Sequence, residues 1–208
     1  MKQDKETKNK LLASAKAEFL EKGYVNASLR TICKNAGVTT GALYFFFKDK
    51  ADLYEILVKG TVETIYTVMC GHFLSDRDSI RNGALQKPDS LDNTRDYEDS
   101  AKILHLMYEH RDEVLMLLTK SQGSPYEHIL DRFIGMMEQH YADMAKEMEQ
   151  MNPGKKIDDN VIHWLSHQQI ELYVYMITHI ADERQALKFL EQSVSYMIAG
   201  WYELFSVK

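Results

Sequence analysis

Three prolines in 208 residues set the strongest limit on this chain, because a proline inside a helix removes a backbone donor and clashes with the preceding turn. They stand at Pro88, Pro125 and Pro153, so long stretches are open to uninterrupted helix. Apolar residues follow the 3.6-residue period through most of those stretches, which predicts an all-α protein. A first helix places Leu11, Leu12, Ala15, Phe19 and Leu20 on one face, and Gly23 ends it as a C-cap would. A shorter helix carries Leu29, Ile32, Cys33 and Ala36, with Ser28 as its natural N-cap. After a turn at Gly37, Thr39 caps a third helix through Leu43 and Tyr44, and Asp49 caps a fourth that runs to about Phe73.

Residues 75–96 are polar and read as a loop or a frayed helix end. Beyond them one stripe runs from Ile103 to Leu118, with a break expected near Arg111–Asp112. Another runs from Ile129 to Met151 and is stopped by Pro153–Gly154. The last two helices are apolar on more than one side. Val161, Trp164, Leu165, Leu172 and Met176 form one face of the first and Ile170, Val174 and Ile177 a second. The other combines Leu190, Val194, Met197 and Trp201 with the small residues Ser195, Ala199 and Gly200. A helix apolar on two sides must be buried on two sides, and a second subunit is the expected partner.

The net charge of −6 is unevenly divided. Residues 1–50 hold ten Lys/Arg against five Asp/Glu, whereas residues 51–208 hold 15 against 26. A basic head on an acidic body suits a protein whose head neutralises phosphates; the bland alternative is a lysine-rich solvated tail. The division sets a basic N-terminal part, residues 1–50, apart from an acidic helical body, residues 51–208. Met1–Lys10 is polar and no apolar run reaches the ~20 residues of a membrane span. A cytoplasmic protein without membrane contact is expected, its thiols Cys33 and Cys70 reduced.

Two short helices joined by a glycine-containing turn, with a third packed before them, form a helix-turn-helix. The first helix holds the second so that its N-terminal residues reach base edges in the major groove. Here Leu29, Ile32, Cys33, Val38 and Leu43 lock the pair, and Thr39, Thr40, Gly41 and Ala42 open the reading helix. The run Leu12-x-x-Ala15-x-x-x-Phe19-x-x-x-Gly23-Tyr24, then Ser28-x-x-x-Ile32, then Ala36-Gly37-Val38-Thr39-x-Gly41-Ala42-Leu43-Tyr44-x-x-Phe47-Lys48-Asp49-Lys50-x-x-Leu53 resembles the DNA-binding domain of the TetR family.

The resemblance implies a three-helix N-terminal domain followed by a helical dimerisation and ligand-binding domain. Its function would be that of a repressor released from a palindromic operator by a small effector. It implies a reading helix at about Thr39–Phe45, with Thr40, Gly41, Ala42, Tyr44 and Phe45 near DNA and a contact from Arg30. Ser28, Lys48, Lys50 and the amides capped by Asp49 and Thr39 would meet phosphates. Phe46 stands where the family often has histidine or tyrosine; it has no polar atom for a phosphate and is left out. The long fourth helix would carry the ligand's state to the DNA-binding heads.

Eleven methionines and 22 aromatics could together line a pliable cavity, although any single one of them is more often ordinary core. The candidates are Tyr66, Met69, Phe73, Met107, Met137, His140, Tyr141, Met144, Trp164, His167 and Tyr173, for a mostly apolar ligand oriented by His140, Tyr141 and His167. His163 and His167, spaced i, i+4, could hold a metal; a polar face explains them as well, and no metal or cofactor is expected. Glycine-rich phosphate loops, G-x-S-x-G and Cys-x-x-Cys are all absent, so catalysis is not expected.

Overall fold

The computed structural model describes residues 2–81, 94–151 and 154–205. Among the described residues there are nine helices and no strand. They are α1 (Lys2–Asn26), α2 (Leu29–Ala36), α3 (Thr40–Phe46), α4 (Lys50–Arg81), α5 (Thr94–Glu109), α6 (Arg111–Thr119), α7 (Ile129–Met151), α8 (Asp159–His179) and α9 (Glu183–Phe205). Gly23 does interrupt α1, with φ 72° and ψ 167°, a conformation open to glycine and costly to residues with a Cβ. The break between α5 and α6 falls at His110.

The fourth helix departs from the reading. It continues past Phe73 to Arg81, and α5 begins at Thr94, so both enter the segment read as a loop or a frayed helix end; residues 82–93 and Pro153 lie outside the described residues. The first turn beyond Phe73 carries an inward polar contact. Asp76 turns inward, its side chain only 14% exposed, and contacts His72 and His140. A search for apolar period cannot see such a turn.

The chain packs into two compact units. The first comprises Met1–Thr64 and His110–Leu130; the second comprises Ile65–Glu109 and Asp131–Lys208. In the first, Leu11, Ala15, Phe19, Ile32, Leu43, Phe47, Leu53 and Tyr54 are almost wholly buried. Burial of each of the larger side chains contributes about 1.5–3 kcal/mol. Tyr54 is the hub. Its ring meets those of Phe19 and Tyr24 edge-on at 5.0 and 5.2 Å, and its hydroxyl donates to the Met116 carbonyl at 2.9 Å. Helix α6 is further tied in by Lys16 Nζ to Glu113 Oε1, 2.9 Å, and by the Tyr24 amide donating to the Lys120 carbonyl, 2.8 Å.

In the second unit α5, α7, α8 and α9 bury Ile103, Leu104, Met107, Phe133, Met137, Met176, Ile177, Leu190 and Val194. The Tyr108 hydroxyl donates to the carbonyl of Ile180, just past the end of α8, at 2.7 Å and lies 3.1 Å from that of Met176. The buried stripe of α8 is Ile162, Ser166, Ile170, Tyr173, Met176 and Ile177. Trp164 and Tyr175 lie exposed on its other side, so the face read from Trp164 is not the one turned to this unit's core. On α9, Ala186, Leu190 and Val194 are buried, whereas Phe189, Tyr196 and Leu204 are exposed.

Candidate nucleic-acid interface and ligand groove

The helix-turn-helix is built from caps outward. Ser28, in extended conformation, accepts from the Thr31 amide at the start of α2, and its own amide donates to the buried Glu18 carboxylate at 3.1 Å. Helix α2 ends on Gly37 in the left-handed region, φ 69° and ψ 32°, with the Val38 amide donating back to the Cys33 carbonyl at 3.0 Å. Thr39 then caps α3, its Oγ1 accepting from the Ala42 amide at 3.3 Å. Leu43 and Phe47, both buried, fasten α3 inward. On its outer side Thr40 and Gly41 are exposed, as are Tyr44 and Phe45, at 56% and 75%. Arg30, Thr39 and Lys48 are exposed too, while Ser28 and Ala42 are half-buried. Phe46 is half-buried and packs edge-on against Phe45, 4.9 Å between centroids.

Two of the expected phosphate donors are otherwise engaged. Lys50 Nζ donates to the carbonyls of Tyr24, Val25 and Ala27 at 2.8, 3.1 and 3.4 Å and lies 4.7 Å from the Tyr24 ring centroid. Three carbonyls occupy its three donors, so Lys50 serves the end of α1. Two of the amides around Asp49 are likewise answered from within. The Asp52 amide donates to Asp49 Oδ1 and the Lys48 amide to Asp52 Oδ2, both at 2.8 Å. Burial pushes the Cys33 thiol up, against the hydrogen bond to Thr40 that lowers it, which fits a small core residue better than a reactive one.

In the second unit a groove of about 560 Å³ lies between α4 and α7, lined by Tyr66, Cys70, Phe73 and Leu74 from one and by Met136, His140 and Met144 among others from the other. Arg132, Gln139, Asp143 and Glu147 supply its polar lining. The His140 ring stacks on Phe73, 4.1 Å between centroids and 12° between planes. Behind it Asp76 Oδ2 is 3.2 Å from both His140 Nε2 and His72 Nε2, and Asp99 Oδ2 is 3.4 Å from His72 Nδ1. Burial and the nearby Asp76 charge hold the Asp96 carboxyl above its ordinary value. Burial also works to raise Asp99, but Lys102 and His72 together keep it below.

Of the ligand candidates, Tyr66, Phe73, His140 and Met144 line the groove. Met69, Met107, Met137 and Tyr173 are core residues, the Tyr173 hydroxyl donating to the Ser100 carbonyl at 3.3 Å. Tyr141 stacks on Trp201 at 5.1 Å, His167 lies edge-on to His163 at 4.6 Å, and Trp164 is 56% exposed; none of these lines the groove. Cys70, Leu74, Met136 and Gln139 do line it and were missed. A groove between two helices is walled by positions flanking their inward stripes, whereas periodicity picks out the midline of each stripe. Among the described residues no group of three His, Cys, Asp or Glu is placed to hold a metal ion, and no helix is long and apolar enough to cross a membrane.

Residues 11–57 match the family model described as bacterial regulatory proteins, tetR family. The transcriptional repressor BepR of Brucella suis biovar 1 (strain 1330) is 42% identical over 53 residues, 26% of this chain and 25% of that protein. The transcriptional regulator AcrR of Shigella flexneri is 46% identical over 50 residues, 24% of this chain and 23% of that one. These matches therefore span about a quarter of the curated relatives' length. A TetR family transcriptional regulator from Chloroflexus aurantiacus J-10-FL, known from a crystal structure, shares the fold over 94% of this chain and 93% of its own, with a TM-score of 0.61 at 16% identity. The all-α architecture is thus common to both along nearly their whole lengths, and residues 11–57 of this chain, its N-terminal helix-turn-helix, are similar to the tetR family of bacterial regulatory proteins.

Proposed function

We propose that this protein is a ligand-responsive transcriptional regulator, a cytoplasmic repressor that leaves a palindromic operator when a small, mostly apolar ligand binds. The observation that carries the reading is the two-sidedness of α3. Leu43 and Phe47 anchor it in the core, while Thr40, Gly41, Tyr44 and Phe45 stand exposed along its outer side. A short helix held this rigidly, with small and polar residues at its N-terminal end, is what base reading in the major groove requires. Arg30 adds a base contact, Lys48 a phosphate contact and Ser28 a further one at the start of α2. Lys50 is withdrawn from that set because its donors are spent on carbonyls.

Residues 1–50 act as the DNA-binding domain and residues 51–208 as the ligand-binding and dimerisation domain. The exposed Trp164, Tyr175, Phe189 and Tyr196 of α8 and α9 form the dimer contact. Two-fold symmetry then sets two reading helices about one DNA turn apart. The effector occupies the groove between α4 and α7, where Tyr66, Phe73 and Met144 offer apolar contact and His140 a polar one. It releases DNA only if it favours a conformation whose two heads no longer match the operator.

Selection of bound duplexes from a random-sequence pool tests the reading. An enriched inverted repeat supports it, and Thr40→Ala and Tyr44→Ala should then abolish the enrichment. No enrichment above the input pool would overturn it.

A further inference from the structure

Helix α1 begins at Lys2, nine residues ahead of the stretch that matches the family. This leading segment carries Lys2, Lys5, Lys8 and Lys10 against Asp4 and Glu6. It is the part of the basic head that the helix-turn-helix itself does not use, and as a loose tail it would count for little. It is instead continuous with the best-anchored helix of the unit. Leu11, Ala15 and Phe19 are each fully buried, and the Ser14 hydroxyl donates to the Ile32 carbonyl at 2.9 Å.

The segment also has a defined address. Lys8 Nζ lies 5.8 Å from the centroid of the Phe47 ring, and Phe47 caps the C-terminal end of α3. The next residue is Lys48, exposed and the one phosphate candidate after α3 that keeps its side chain outward. Lys5 stands one turn before Lys8 on the same side of α1 and is exposed. Of the neighbouring charges, Glu6 is taken by Lys10 at 2.8 Å, and Lys8 is the one set toward the end of α3.

We propose that Lys5 and Lys8 form a second backbone clamp, gripping DNA phosphates beside those met by Lys48. The proposal rests on the DNA-binding reading above and extends its footprint by the leading turns of α1. Helix geometry fixes the backbone that carries the two lysines before DNA arrives, so less freedom is lost on binding than with a flexible arm. The contacts are to phosphate alone; they add affinity and register without adding sequence preference.

A short duplex of random sequence is the appropriate probe, since no operator is needed to count phosphate contacts. Its affinity for the full chain is followed by fluorescence anisotropy across a salt series. In the double variant Lys5→Gln/Lys8→Gln, which keeps most of each stem, the slope of log K against log salt should become shallower by about 0.9 for each lost contact per subunit. Lys5→Arg/Lys8→Arg should keep the original slope, and thermal melting should be the same for all three proteins. A double glutamine variant with the slope of the parent, alongside a shallower slope in Lys48→Gln, would overturn the clamp and leave the DNA-binding reading standing. A parent protein with no salt-dependent affinity for duplex would overturn both.

Discussion

Lys50 Nζ lies 2.8 Å from the carbonyl oxygen of Tyr24, so a lysine of the DNA-binding sequence pattern is spent on holding the broken end of α1. Lys50→Met should therefore act on stability. Charged hydrogen bonds of this kind contribute about 1.5–3 kcal/mol, and the variant should melt earlier by a corresponding amount. Its salt dependence on random duplex should stay that of the parent. A Lys50→Met protein of unchanged melting temperature with a shallower salt slope would return Lys50 to the phosphate contacts.

Gly37 isolates a purely backbone effect. A Cβ there would meet no atom within 4 Å, yet φ is +69°. Gly37→Ala should cost about 1–2 kcal/mol from left-handed backbone strain alone, read from chemical denaturation midpoints. Gly37→Asn should cost less, because asparagine tolerates this region. Equal stability of all three proteins would mean that the turn relaxes.

Asp96 gives the acid-side prediction. Its carboxyl is raised in the folded protein by burial and by Asp76, so the folded state holds that proton more tightly than the unfolded chain. The stability this contributes is present below the ordinary carboxylate value of about 3.9 and is lost as pH rises through the raised value. Asp96→Asn should raise the melting temperature at pH 7 and confer no gain at about pH 3.5. An equal gain at both pH values would show that its charge is not the cause.

The exposed aromatics of α8 and α9 bear on assembly. Tyr196, 68% exposed, and Phe189, 38% exposed, should be covered in the dimer. Tyr196→Glu places a charge in that contact and should weaken dimerisation by about 2 kcal/mol, roughly 30-fold in Kd. Sedimentation equilibrium measures it. An unchanged Kd for both Tyr196→Glu and Phe189→Glu would move the dimer contact elsewhere.

The helix-turn-helix was legible because each of its parts is local. Ser28, Gly37 and Thr39 act on amides or carbonyls within five residues, so their meaning is written in adjacent sequence. The positions of Lys50 and Asp76 were not. Both are polar residues whose partners lie on other turns or helices, and neither pattern nor spacing says which surface a charge will face. The groove was read in part for a related reason. Periodicity found α4 and α7 and reached Tyr66, Phe73, His140 and Met144, but the flanking Cys70, Leu74, Met136 and Gln139 depend on how far apart the two helices stand.

The bonds from Tyr54 to Met116, from Lys16 to Glu113 and from Tyr24 to Lys120 also bear on how the reading head can be transplanted. A chimera that grafts only residues 1–57 onto a foreign body would leave the Tyr54 hydroxyl buried without its acceptor and strip one wall from the Phe19–Tyr54 aromatic cluster. The exchangeable cassette is discontinuous: it must bring residues 110–130 with it. Recombination at a single point after the helix-turn-helix should therefore give working hybrids only between parents whose α6 segments present the same carbonyl to Tyr54.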